Sequence, residues 1–241
     1  IWDARSQILY GARDRVGKKP FFYAQEEGRL SFASTLNALR ALLSTPPSVD
    51  PVAVDAYLTY QAVPAPLTMF EGVQQLPPAH EFRYHQESER LEVNRYWDVS
   101  FTPKRESSEE DVLDDLDDLV RAAVRKRLMS DVPLGAFLSG GVDSSLVVAM
   151  MAQEQAGPVE AVVMGFEDPD YDERPYARQV AEKWNVNLHE HVLQPNAIAD
   201  LPEIIWQYGQ PLADVSIVPT YYVAEAAKQH VTVVLNGDGG D

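Results

Sequence analysis

The chain contains no cysteine. That excludes a disulfide framework and thiolate metal sites within these residues. Basic residues are also scarce, 20 Lys and Arg against 37 Asp and Glu, for a formal net charge of −17. Nucleic-acid binding draws on dense Lys and Arg, so this balance argues against such a partner, although a local basic patch stays compatible. No uninterrupted apolar run approaches the roughly 20 residues that span a bilayer, and no signal-peptide pattern opens the chain. A soluble, cytoplasmic protein with no membrane partner is therefore the expectation. The composition itself is globular, 45% hydrophobic and 24% charged over 241 residues, room for one large or two ordinary domains. An initiating Met is missing too: the chain starts at Ile1 and stops at Asp241, inside a polar glycine-rich turn. Both ends read as cut, so a segment of a longer protein is expected.

What is present centres on LGAFLSGGVDSSLVVAM, residues 134–150. It reads as a buried strand (Gly135 to Leu138), a glycine-rich turn (Ser139 to Ser144) and a helix from Ser145. Strand, tight turn and helix in that order suit a nucleotide's phosphates. Glycines let the backbone come close to the oxygens, and the amides at a helix start point at the anion. Ser139, Ser144 and Ser145 add hydroxyl donors, and Asp143 supplies a hard oxygen ligand for magnesium. The pattern is not a Walker A loop, because no Gly-Lys-Ser/Thr follows. A structural turn with an N-cap Ser or Asp is the bland alternative.

Before this stretch, residues 1–34 read as β structure. ILYGARDR and PFFYAQ flank the turn GKK, and EEGRLSFAS continues after a turn at Glu27-Gly28. Asp50 caps a helix with Pro51 at its first position. Arg13 and Asp14 read as a buried pair holding the sheet, and His80, beside Pro77-Pro78, as a ring bonded to backbone. Composition shifts near residue 103. Ser107 or Ser108 then caps a helix with acidic residues first and Arg and Lys last, as its dipole favours. Val112, Leu116, Leu119, Ala123 and Leu128 fall at helical spacing, so that face is expected to pack inward.

From residue 134 strands and helices alternate, which argues for a parallel sheet. VEAVVMGF, NLHEHVL and VTVVLNG are the further strands, and LPEIIWQYG and the stretch after QPLADVS are helices. His189 and His191 point to one face of their strand, but a metal reading lacks a third ligand nearby. A doubly wound sheet binds at the carboxyl ends of its strands. The loops after Leu138, Phe166 and Leu235 should then face one crevice. Ser139 to Ser144 would grip pyrophosphate, and main-chain groups of Met164 could reach an adenine. Asp238 and Asp241 of NGDGGD could meet an acyl-adenylate or its magnesium, one carboxylate holding metal and the other accepting a proton from an attacking amine.

The residues also carry a family resemblance. SGGVDS resembles the PP-loop of ATP pyrophosphatases, which cleave ATP to AMP and pyrophosphate. LSGGVDSS, YDExxYARxVA, QPLADxSxxPTY and NGDGGD, in that order, resemble the synthetase domain of glutamine-hydrolysing asparagine synthetases. ARDRVGKKPFFY followed by LSFASTLNALRALL, and the later PAPLTMFEGVQQLPPAH, resemble the closing part of that family's glutaminase domain. The fold this implies is an α/β PP-loop, doubly wound parallel sheet of the adenine nucleotide α-hydrolase type. It is preceded by the C-terminal part of an Ntn-hydrolase-like α+β glutaminase domain, with residues 1–103 in the first and 104–241 in the second. The resemblance implies a ligase that uses ATP and Mg2+ to activate the β-carboxylate of aspartate as an adenylate. Ammonia, taken free or from glutamine, attacks it to give asparagine, AMP and pyrophosphate. By matching position, Phe137, Met164, Asn236 and Gly237 contact ATP, and Ser139, Gly140, Gly141, Val142 and Ser144 bind its phosphates with Asp143, which also holds magnesium. Asp238 and Asp241 are the catalytic candidates, Asp241 also as a metal ligand. A homodimer is left open.

The chain departs from the family at two places. Thr35 stands where a Glu is usual, and Asn236 replaces the commoner Ser while keeping hydrogen-bonding capacity. The family's nucleophile is an N-terminal cysteine, so no glutaminase catalytic residue can be assigned in a chain with none. Three other readings stay open: an amidotransferase or β-lactam-forming synthetase acting on another carboxylic acid, a PP-loop enzyme acting on tRNA, and a non-catalytic homologue.

Overall fold

The computed structural model describes residues 1–170, 172–193 and 197–239. They fall into two units: residues 1–104 with 198–214, and residues 105–197 with 215–241. No helix among the described residues is long and apolar enough to cross a membrane.

The first unit is antiparallel β structure with short helices. Strands β1 (Trp2–Asp3), β2 (Ile8–Ala12), β3 (Phe22–Glu26) and β4 (Arg29–Ala33) precede helices α1 (Leu36–Arg40) and α2 (Pro51–Tyr60). Strands β5 (Val73–Gln75), β6 (His80–His85) and β7 (Arg90–Arg95) follow. One sheet runs β1-β2-β6-β7 and the other β4-β3-β5. The GKK turn therefore joins two sheets, β2 pairing with β6 and β3 with β4 and β5. Glu27 and Gly28 link β3 to β4 with φ of 44° and 76°, the two left-handed residues that a tight hairpin demands. The core forms where Leu36 and Leu39, both fully buried, pack on Phe22, Ala24 and Val73.

Local signals explain these boundaries. Asp50 Oδ1 accepts the Val52 amide at 2.8 Å and caps α2, and Thr35 Oγ1 accepts the Ala38 amide at 3.3 Å and caps α1. Arg13 is buried, and its guanidinium donates to the carbonyls of Leu76, Lys19 and Gly17 at 2.7–2.8 Å. Asp14 accepts the amides of Lys18 and Lys19 at 2.8 and 2.9 Å, which hold its carboxyl below the usual range. Both residues hold the turn through backbone, and no ion pair between them is present among the described residues. His80 Nδ1 lies 2.7 Å from the Pro78 carbonyl.

The second unit begins with α3 (Glu109–Arg127), capped by Ser108 through the Asp111 amide at 3.1 Å. Next in the chain come β8 (Leu134–Phe137), α4 (Val142–Glu154), β9 (Glu160–Gly165), α5 (Arg174–Trp184) and β10 (Asn187–Val192), then α6 (Ala197–Tyr208), whose residues from 198 onward group with the first unit, and then α7 (Ile217–Ala227) and β11 (Val233–Leu235). The four strands make one parallel sheet in the order β10-β9-β8-β11. Its core joins Ala136, Leu138, Ala161 and Val163 to Val148 and Met151 of α4. On the other face Val162 packs on Ala226 and Ala227 of α7.

Two expectations need correction. The helix after the glycine turn starts at Val142, not Ser145, because Gly141 already serves as its N-cap. Asp143 and Ser144 thus sit on the helix's first turn. The inward face of α3 is confined to its C-terminal half: Val124 is buried, but Val112, Leu116 and Leu119 are exposed. Charge adds to the Val124 contact that ties α3 to α4, since Arg121 Nη1 and Arg125 Nε reach the Glu154 carboxylate at 3.0 and 2.7 Å.

Helix α6 stands between β10 and α7 in the chain. Residues 198–214 group instead with the first unit. The Met69 amide donates to Gln210 Oε1 at 3.2 Å, the Ala213 amide to the Gln61 carbonyl at 2.9 Å, and Asn37 Nδ2 to the Trp206 carbonyl at 2.5 Å. Ile204 is fully buried. Gly209, at φ 79°, closes the helix so near Leu36 that a Cβ would lie 3.0 Å from the leucine's. A helical apolar period marks a buried face but not which core receives it.

Candidate nucleotide site

Strands β8 and β11 are parallel neighbours, so the turns that follow them emerge at one edge of the sheet. Between these turns lies a cleft of about 400 Å³. Its first wall is the turn Ser139–Gly141 and the opening of α4. Gly140 has φ 83°, a conformation few other residues adopt, and a Cβ there would sit 2.5 Å from Tyr176 Cβ at the start of α5. Ser139 Oγ accepts the Gly141 amide at 3.2 Å and lies 3.0 Å from Ser144 Oγ, so the turn is pinned to the helix it feeds. Gly141 offers no side-chain cap. Val142, Asp143 and Ser144 are the first helical residues, and their amides have no acceptor one turn back. With the helix dipole they form an anion-accepting end open to the cleft.

The second wall is the turn after β11. Asn236 Nδ2 donates to Asp238 Oδ2 at 2.6 Å and orients that carboxylate. Gly237 lies against the start of α4, where a Cβ would meet Ser144 N at 2.7 Å and Asp143 Cβ at 2.8 Å. The glycine is there for approach, since its φ is not left-handed. A third wall comes from α7, through Thr220 and Val223, and Phe137 contributes the end of β8.

Of the residues that the sequence marks, Phe137, Ser139, Gly141, Val142, Asp143, Ser144, Asn236, Gly237 and Asp238 line the cleft. Gly140 and Met164 do not. Gly140 faces the start of α5, and Met164 is packed in the cluster of Ala226, Ala227 and Val231 beneath α7. Asp241 lies outside the described residues. Thr220 and Val223 were missed, because nothing in VPTYYV distinguishes a wall of a cleft from an ordinary amphipathic helix. Within YDExxYAR, Tyr171 lies outside the described residues. Asp172 forms a two-pronged ion pair with Arg174 at 2.8 and 2.9 Å, and Arg178 one with Glu190 of β10 at 2.8 and 2.6 Å. These arginines hold both carboxyls below their usual range. The motif's described part fixes α5, against whose first residues Gly140 turns.

Fold and cleft together define a parallel α/β unit with an anion-accepting helix end at the carboxyl edge of its sheet. Comparison with known proteins makes this specific. The chain belongs to the asparagine synthase family, whose model matches residues 115–241. A glutamine amidotransferase domain model matches residues 1–97. Asparagine synthetase [glutamine-hydrolyzing] 1 of Bacillus subtilis is 33% identical over 242 residues, covering 100% of this chain and 38% of that protein. Putative asparagine synthetase [glutamine-hydrolyzing] 2 of Methanocaldococcus jannaschii is 31% identical over 246 residues, covering 100% of this chain and 47% of that protein. The chain thus spans under half the length of these relatives. Among solved structures, NMN synthetase from Francisella tularensis overlaps 55% of this chain and 56% of its own at 16% identity, with a TM-score of 0.36, too loose a likeness to argue from.

Proposed function

We propose that the protein of which this chain is part is an AMP-forming carbon–nitrogen ligase that converts aspartate to asparagine through a β-aspartyl adenylate. Ammonia derived from glutamine is the nitrogen donor, and AMP and pyrophosphate are the other products. The observation that carries this reading is the cleft that joins the open amides of α4 to the Asn236–Asp238 turn, in a chain of the asparagine synthase family. ATP is the substrate that such a cleft suits. The amides of Val142, Asp143 and Ser144 and the hydroxyls of Ser139 and Ser144 donate to the departing pyrophosphate oxygens. Phe137 and Val223 offer an apolar surface for the nucleoside.

Asp143 is an anion placed where anions bind. A divalent cation between carboxylate and phosphate resolves that repulsion, and the hard oxygen donor Asp143 suits magnesium. Among the described residues no group of three or more His, Cys, Asp and Glu could hold a metal. The phosphates would therefore complete the coordination, and bound magnesium would neutralise their charge. Asp238, oriented by Asn236, is the carboxylate we assign to accept a proton from the attacking amine. The two antiparallel sheets of residues 1–104, with the amidotransferase match, support an Ntn-hydrolase-like glutaminase portion.

The experiment is a substrate panel on the full-length protein: Mg-ATP, ammonium and single amino acids, with AMP, pyrophosphate and amide measured. Aspartate-dependent release with stoichiometric asparagine is expected, and Asp143→Ala should abolish it while leaving the melting temperature unchanged. Release with a different acid overturns the substrate, and unchanged turnover in Asp143→Ala overturns the magnesium assignment.

A further inference from the structure

Three of the chain's five histidines gather outside the cleft. His189 and His191 lie two residues apart on β10 and so share a face. Their register partners are Val162 and Met164 of β9, both packed beneath α7. His230 follows α7 in the connection to β11 and brings a third imidazole to the same place. His191 Nε2 and His230 Nε2 are 3.4 Å apart. The ring of His189 stacks on that of His230 with centroids 3.7 Å apart and planes 15° apart. Glu160 Oε2, on β9, holds His189 Nε2 at 2.7 Å.

The two Nε2 atoms, within hydrogen-bond reach of each other here, are also spaced as two ligands of one metal ion would be. A tetrahedral zinc ion binds imidazole nitrogen at about 2.0–2.1 Å, which sets two such nitrogens roughly 3.3 Å apart. We propose that His191 and His230 form a two-histidine site for a divalent transition-metal ion, zinc being the representative case, which staples β10 to the connection after α7. Imidazole selects such an ion over magnesium, so the site is chemically separate from the oxygen-lined cleft. Water completes the coordination, as the described residues offer no group of three or more metal-binding side chains. His189, fixed by Glu160, positions the His230 ring by stacking.

The test is titration of the protein with zinc chloride alone, followed by calorimetry and by melting. One equivalent should bind and raise the melting temperature, and either His191→Ala or His230→Gln should weaken binding at least tenfold. His80→Ala, on the first unit, should bind as wild type. Melting in EDTA shows whether each variant is folded. Should a variant not fold, electron paramagnetic resonance of one bound Cu2+ on the wild type decides: two imidazole nitrogens are expected. No zinc uptake by the wild type, undiminished uptake by both variants, or a copper spectrum with fewer than two imidazoles overturns the proposal.

Discussion

Gly237 is the point where the two turns of the cleft touch, and replacing it with Ala tests the geometry directly. A Cβ at this position lies 2.7 Å from Ser144 N, 2.8 Å from Asp143 Cβ and 2.9 Å from the Asp143 carbonyl carbon. Ordinary contact begins at 3.4 Å, so the nearest approach is 0.7 Å too short. All three obstacles belong to the first turn of α4, and two of them are backbone, so no side chain can rotate away. Alanine tolerates the backbone of Gly237, whose φ is not left-handed. The cost is steric alone. Overpacking of this kind costs about 1–3 kcal/mol. If the strain is relieved by parting the loop from α4, ATP affinity falls by about 5- to 150-fold at 1.4 kcal/mol per decade. Calorimetry with a non-hydrolysable ATP analogue, beside a thermal melt, measures both quantities. Gly157→Ala is the control, since nothing lies within 4 Å of its Cβ. Wild-type affinity in a folded Gly237→Ala variant would refute the close-approach argument.

Other expectations follow from the packing. Glu154 is held at about 2 by Arg125 and then Arg121, below its ordinary value of 4.5. A carboxyl whose folded value is depressed stabilises above the unfolded value and loses that contribution as pH falls from 4.5 to about 2. Glu154→Gln should therefore melt lower at pH 7 and show a flatter acid limb, and a parallel melting curve across that range would contradict the assignment. Ile204→Ala removes a fully buried side chain from α6 and should destabilise by about 2–5 kcal/mol, read as a lowered denaturant midpoint. An unchanged midpoint would mean that α6 is not anchored through this residue.

The sequence carried the cleft further than it carried the packing around it. Ser139, Gly141, Asp143 and Ser144 were legible because a glycine turn between a buried strand and an apolar helix has few structural solutions. Where the helix starts was not, since Gly141 caps without a side chain and leaves no N-cap signature. Thr220 and Val223 reach the cleft only through the path of α7, and local pattern contains no such information. The same limit explains α6, whose apolar period was plain but whose receiving core is set by Gln61, Met69 and Asn37, more than 130 residues earlier by number. On α3 the helical period was present, yet Val112, Leu116 and Leu119 stay exposed because the contact with α4 forms near Val124 and through Glu154. The central strands β8 and β9 were readable directly, as parallel strands buried on both faces are near-continuous apolar runs.

The central claim is that the cleft between α4 and the Asn236–Asp238 turn joins a carboxylate to the α-phosphorus of ATP. Aspartate carrying 18O in its β-carboxylate, incubated with the full-length protein, Mg-ATP and ammonia, tests this in one step. The account predicts that one labelled oxygen appears in AMP and none in pyrophosphate. Label found in inorganic phosphate, or unlabelled AMP formed alongside asparagine, would contradict it.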